Sequence, residues 1–249
     1  MLLIEPDQPC LCGSGSRWGE CCAGQLPLTL RYIPVRLVGP SDPVAVGCQR
    51  GGHCCRNVHV PLTPFDVLRL ARRRGIFTGA LLVDVAAISP DGGVEIDGAP
   101  ECPFLEDNSC SVYSDRPDAC RMYPFWGVTT GESNWLVERH TCEGCWGECR
   151  TAVVTASTML EDARVRVGME AEQVFQQAIR DLDKPEVSEE ELEAFMLWVY
   201  DMDSSCEKLG ISPPEGDEEI LLAQFRDVVS ILKEMRDSTA GDEFWPTPE

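Results

Sequence analysis

Apolar positions recur at helical spacing through the second half of the chain. Leu192, Phe195, Met196, Val199, Met202 and Cys206 form a stripe with a 3.6-residue period. Ser188 and Glu191 supply a capping box before it and Gly210 stands after it, so the pattern predicts one helix over 188–210. EEILLAQFRDVVSILKEMR predicts the next amphipathic helix, and two more are expected near 152–166 and 170–182. Closer to the start, LTPFDVLRLARRRG has Thr63 as N-cap, Pro64 at N1, Asp66 at N3 and Gly75 as terminator. Phe65, Val67, Leu68 and Leu70 are its buried side, and a short helix is expected at 78–88. Period-2 signals are fewer. VEID reads as a short strand, and WGVTTGESNWLVER reads as a hairpin with GES near its turn.

Composition divides the chain further. Residues 1–25 are Cys- and Gly-rich and too short to bury a core, so this segment needs a metal to fold. Residues 26–47 hold Pro27, Pro34, Pro40 and Pro43 and read as a linker. Residues 48–150 form a second Cys-rich domain, and residues 151–249 an acidic helical region whose final WPTPE is expected to fray. The expected fold class is α+β, mainly α. It comprises two small metal-nucleated Cys-rich modules, built of short helices and a β-hairpin, followed by a C-terminal helical region.

Charge excludes more than it identifies. The net charge is −21. Residues 150–249 carry 9 basic and 24 acidic residues, hence −15. Nucleic acid is not an expected partner, and the acidic half reads as solvated helix faces. Arg69, Arg72, Arg73 and Arg74 form a local exception, read as a solvent-facing basic edge. No window approaches the ~20 apolar residues of a membrane span. MLLIEPDQPC lacks the basic and apolar regions of a secretory signal, so a cytoplasmic location is expected.

Of the 14 cysteines, four lie at 10–22, nine at 48–149, and Cys206 stands apart. In a reducing compartment this density argues for metal over disulfides. Cys206 continues a helical stripe and reads as a core hydrophobe.

PCLCGSGSRWGECC spaces Cys10, Cys12, Cys21 and Cys22 as C-x-C-x8-C-C. Four thiolates satisfy a closed, structural zinc site, and Gly13 and Gly15 let the chain turn away from the first pair. With Pro9, Ser14, Trp18 and Gly24, the segment resembles the SEC-C zinc-binding motif. Ser16, Arg17, Gly19 and Glu20 stand where that family usually carries lysines.

The second cluster holds Cys48, Cys54, Cys55, Cys102, Cys110, Cys120, Cys142, Cys145 and Cys149, with His53, His59 and His140. Separate loops deliver these cysteines, and a metal can join loops that a small core cannot. Pro103, Pro117 and Pro124 stiffen the chain around them. Arg116 and Arg121 would offset thiolate charge or pair with Asp115 and Asp118. The blocks CQRGGHCCRNVHVPLTPFDVLRLA and CPFLEDNSCSVYSDRPDACRMYPF resemble the YkgJ-type cysteine cluster family, also called the CxxCxxCC or zinc- or iron-chelating domain. The family's C-x2-C-x2-C-C is here C-x5-C-C, with Gly51 in place of the middle cysteine and His53 available as a substitute donor. TCEGCWGEC spaces Cys142, Cys145 and Cys149 as C-x2-C-x3-C, the reverse of the radical-SAM order and with no βα repeat after it.

Thiolates bind zinc and iron alike. Single cysteines spread over loops suit the corners of a [4Fe–4S] cluster better than the paired knuckles of zinc. The function expected is therefore metal binding, with structural zinc in the SEC-C motif and iron–sulfur or zinc in the second cluster. The cluster is expected to serve a redox or protein-modifying role; the resemblance implies protein modification through the family's relatives, but no G-x-G-x-x-G marks a methyl-donor site and that activity is not carried over. The alternative is an adaptor in which both metal sites are structural and the SEC-C motif or the acidic helices dock a partner protein. No catalytic residue set stands out.

Overall fold

A computed structural model describes residues 2–4, 6–9, 16–20, 35–46, 52–88, 93–123, 125–130, 132–138, 152–182 and 187–238. In chain order its strands are β1 (Leu2–Ile4), β2 (Val35–Val38), β3 (Val44–Val46), β4 (Arg56–Pro61), β5 (Ala86–Ile88), β6 (Val94–Glu101), β7 (Leu105–Glu106), β8 (Ser109–Cys110), β9 (Phe125–Thr130), β10 (Glu132–Glu138) and β11 (Ala152–Val154). The helices are α1 (Pro64–Arg74), α2 (Thr78–Val85), α3 (Asp118–Met122), α4 (Ala156–Leu160), α5 (Ala163–Leu182), α6 (Glu189–Tyr200), α7 (Met202–Leu209) and α8 (Glu218–Ser238). Single 3-10 turns span Trp18–Glu20 and His53–Cys55. The fold is α+β and mainly α. No described helix is long and apolar enough to cross a membrane.

The chain forms two compact units. The first takes residues 1–61, 95–113 and 119–165. It contains a four-stranded antiparallel sheet in the order β1-β2-β10-β9. The predicted hairpin is its β9–β10 edge, with Thr130 opposite Glu132. β3 pairs with β11, β4 with β6, and β7 with β8, all antiparallel. Val38, Val44, Phe125 and Ala156 are buried together, with Met122, Val154 and Met159 packed on them. The helix expected from 152 begins later. Val153 and Val154 are β-branched and pair with Ala45 and Val44, and Thr155 then caps α4 through the Thr158 N–H.

The second unit takes residues 62–94, 114–118 and 166–249. Its core is helical, built on Phe65, Leu68, Leu81, Phe195, Val199, Met202, Cys206, Phe225 and Leu232. Phe65 meets Phe225 edge-on at 5.5 Å. α1 begins and ends as the sequence predicts, with a reciprocal Thr63–Asp66 capping box and Gly75 left-handed at φ 65°. The helix expected over 188–210 is instead two. Asp201 leaves helical geometry (φ −93°, ψ 65°), ending α6 and opening α7. Polar contacts win at this point. The Asp201 carboxylate accepts from the Thr78 hydroxyl at 2.9 Å, and the Asp203 carboxylate accepts from the Thr78 N–H at 2.7 Å and from Arg72 at 2.5 and 3.0 Å.

The arginine run is likewise not a uniform solvent-facing edge. Arg69 is 2% exposed and lies among Asp66 (2.6 Å), Asp118 (3.0 Å) and Glu218 (3.2 Å). Burial alone would favour loss of its proton, but the three carboxylates reverse this and hold it charged. Arg72 clasps buried Asp203, whereas Arg73 and Arg74 form exposed pairs with Asp115 and Asp84. Asp115 and Asp118 are thus engaged by Arg73 and Arg69.

Candidate metal centre

Five of the nine predicted cysteines of the second cluster lie among the described residues, all in the first unit. Cys54 and Cys55 occupy the 3-10 turn His53–Cys55, which is pinned at both ends. The Cys55 N–H bonds the Gly52 carbonyl at 3.1 Å, and the chain then enters β4. Gly52 is left-handed at φ 68°. A Cβ there would stand 2.7 Å from Leu105 and 3.0 Å from the Asn108 carbonyl, so only glycine lets the turn approach β7 and its following turn this closely. Arg56 opposes Glu101 in the β4–β6 ladder. One step further out the Cys102 N–H donates to the Cys55 carbonyl at 2.7 Å, which brings Cys102 directly across from Cys55.

Cys110 arrives by a tight hairpin. Asp107 and Asn108 both have positive φ (48° and 60°), the geometry of a two-residue type I′ turn. This places Cys110 opposite Leu105 in the β7–β8 pair. Cys120 is carried by α3, beside buried Arg121.

The five thiols are half-buried, and none is in a disulfide. A hydrogen bond with the Cys54 side chain, burial, and repulsion from Cys54, Cys102 and Cys120 together push Cys55 far above the ordinary thiol range. Burial raises Cys102, a hydrogen bond from the Phe104 N–H to its sulfur opposes this, and Cys110 and Cys54 add repulsion. These are thiols that resist ionising together. A bound cation would supply the missing counter-charge and take the place of their protons. Soft, clustered sulfur donors are the set that zinc or iron takes. Among the described residues no group of three or more Cys, His, Asp or Glu side chains is already gathered tightly enough to hold a metal ion. The fit is thus one of donor chemistry.

Cys48, Cys142, Cys145, Cys149 and His140 lie outside the described residues, as do Cys10, Cys12, Cys21, Cys22 and WPTPE. His59 is on β4, with Nδ1 2.9 Å from Glu95 Oε1. Cys206 is fully buried in the second unit, where burial first and then Asp203 push its thiol up to about 11. It is a core residue, as its stripe predicts.

Sequence reasoning missed Arg56. Its guanidinium donates to Glu101 at 2.8 Å, to the Gly52 carbonyl at 3.1 Å and to Asn108 Oδ1 at 2.6 Å. Those partners precede Cys102, Cys54 and Cys110 by one or two positions, so one side chain braces three cysteine-bearing segments. Its only sequence signal is adjacency to the vicinal pair. The Asp107-Asn108 hairpin was findable, because Asp and Asn tolerate positive φ.

The arrangement brings together a thiol-rich, half-buried set of candidate metal donors. Residues 47–143 match the family model CxxCxxCC, described as "putative zinc- or iron-chelating domain". No curated protein and no solved structure matches the chain.

Proposed function

We propose that the cysteines of residues 48–149 bind an iron–sulfur cluster, [4Fe–4S] in type, with zinc as the rival occupant. The observation that carries this reading is the gathering of Cys54, Cys55, Cys102, Cys110 and Cys120 from separate segments into one unit, close enough to perturb one another's thiols. Cys48, Cys142, Cys145 and Cys149 complete the donor set. An iron–sulfur cluster would supply electron transfer or support a protein-modifying reaction. The chain's own part is to present sulfur, screen it by burial, and brace it through Arg56 and the Phe104 N–H.

We assign zinc to the SEC-C segment, through Cys10, Cys12, Cys21 and Cys22. In support, Pro9 bridges to Arg17 and the Trp18 N–H bonds Gln8 at 2.8 Å, folding the chain back across the interval that holds the first ligand pair.

The test is metal and acid-labile sulfide quantitation on anaerobically purified full-length chain, with a visible spectrum. Iron with sulfide, and a sulfur-to-iron charge-transfer band lost in Cys102→Ser, supports the cluster. A colourless protein with zinc in both sites overturns it and favours the adaptor reading, in which the SEC-C motif or the acidic helices dock a partner protein. Absence of any bound metal overturns both assignments.

A further inference from the structure

The break at Asp201 separates α6 from α7, and both helices line a groove with a volume of about 200 Å³. It lies wholly within the second unit. Ala194, Leu197 and Trp198 line it from α6, so its surface is largely apolar. Leu197 is 46% exposed, a large apolar side chain left in water. The Ser205 hydroxyl donates to the Trp198 carbonyl at 2.6 Å and ties the start of α7 to the end of α6. Ser204 contributes an exposed hydroxyl.

The charged groups of the groove stand at opposite ends of α7. Asp201 precedes the helix and Lys208 occupies its last turn, roughly 10 Å further along. The Asp201 carboxylate is engaged by the Thr78 hydroxyl at 2.9 Å. Lys208 is the only basic residue between Lys184 and Arg226, an interval with twelve acidic ones. Even so, no carboxylate among the described residues pairs with it. Its ammonium lies over the Trp198 ring instead, 4.4 Å from the ring centre. A cation in a helix's last turn is favourable by itself, but the position over Trp198 directs this one to the groove. Filling the groove therefore selects the charge of the occupant. A neutral molecule would strip water from the ammonium without replacing it, and a cation would be repelled. An anion supplies charge-assisted hydrogen bonds. An aromatic body suits Trp198 and Leu197 by area and by ring contact. The volume is below the ~300–1,000 Å³ of drug-sized sites, which limits the occupant to one or two rings.

We propose that the α6–α7 groove binds a small aromatic carboxylate, its ring against Trp198 and Leu197 and its carboxylate on Lys208. Binding here is independent of the metal centre.

The test is isothermal titration of the full-length chain with indole-3-acetate, indole-3-acetamide and tryptamine, which share one ring system and differ in charge. Indole-3-acetate should bind about fivefold more tightly than the amide, and tryptamine most weakly. Lys208→Gln should erase the preference for the acid over the amide, and Leu197→Asp should abolish binding of all three, with circular dichroism native in both variants. Equal affinity for the three probes, or tryptamine binding most tightly, overturns the assignment of an anionic ligand. A preference for the acid that survives in Lys208→Gln places its carboxylate elsewhere and overturns the site. Absence of binding by every probe at millimolar concentration also overturns it.

Discussion

Arg56 shows how much one unremarked side chain can organise. A guanidinium is not a metal donor, yet its three hydrogen bonds reach Gly52, Glu101 and Asn108. Groups that orient metal ligands are typically worth 10–100-fold in affinity. Arg56→Gln should therefore weaken metal binding by roughly tenfold or more, read by competition with a chelator, while circular dichroism stays native and Arg56→Lys recovers part of the loss. The cysteines separate in the same assay. Cys55→Ser and Cys120→Ser should each lower bound metal per chain, and Cys206→Ala should leave it unchanged, because Cys206 lies in the helical core of the second unit. Asp203 makes a pH prediction. Burial alone would raise its carboxyl, but hydrogen bonds from Arg72 and the Thr78 N–H outweigh this and hold it below its usual value. A lowered folded pKa gives stability that is complete above the unfolded value, about 3.9, and is lost as pH falls through the folded one. Urea titrations should show wild type losing stability below about pH 4. Asp203→Asn should flatten that loss while costing about 1–3 kcal/mol at neutral pH.

At the scale of elements, α5 carries a glycine where helix propensity alone favours alanine by roughly 0.8–1 kcal/mol. A Cβ on Gly168 would overlap the Asp118 carboxylate, and that carboxylate is held by Arg69 at 3.0 Å. Gly168→Ala should therefore destabilise by about 1–3 kcal/mol, against its propensity, with the sign read from thermal or urea unfolding. Local signals of this kind divide what was legible from what was not. Thr63, Asp66 and Gly75 spell α1 because caps are short-range chemistry, and WGVTTGESNWLVER spells its hairpin for the same reason. The break at Asp201 was hidden, since the apolar stripe runs straight through it and the competing partners, Thr78 and Arg72, are more than a hundred positions away. The strand at 152–154 was hidden because β3, its partner, is equally remote in sequence. The cysteines named the site's chemistry, but their grouping depended on the β4–β6 register and the Asp107-Asn108 turn. Arg56 has no motif at all.

For the whole molecule, two units with different cores should respond differently to metal. The second unit is packed on large apolar side chains such as Phe65, Phe195 and Phe225. The first unit brings its described cysteines from separate segments, so a metal that joins those segments should contribute directly to its stability. Chelation should therefore raise amide exchange across the His53–Cys55 turn and the β7–β8 hairpin while leaving α6–α8 protected, read by hydrogen exchange with mass spectrometry. Equal loss of protection in both units would refute this. The bonds of Arg56 reach 45 and 52 positions down the chain, and that spacing also bears on synthesis. A ribosome delivers Cys54 and Cys55 well before their partners exist. During that interval the vicinal thiols are exposed on an unfinished chain, and closing so long a loop carries an entropic penalty that grows only slowly with its length. If these thiols hold the proposed metal, loading must wait until Cys120 has emerged, and a chain released without metal is expected to leave its first unit more open to proteolysis than its second.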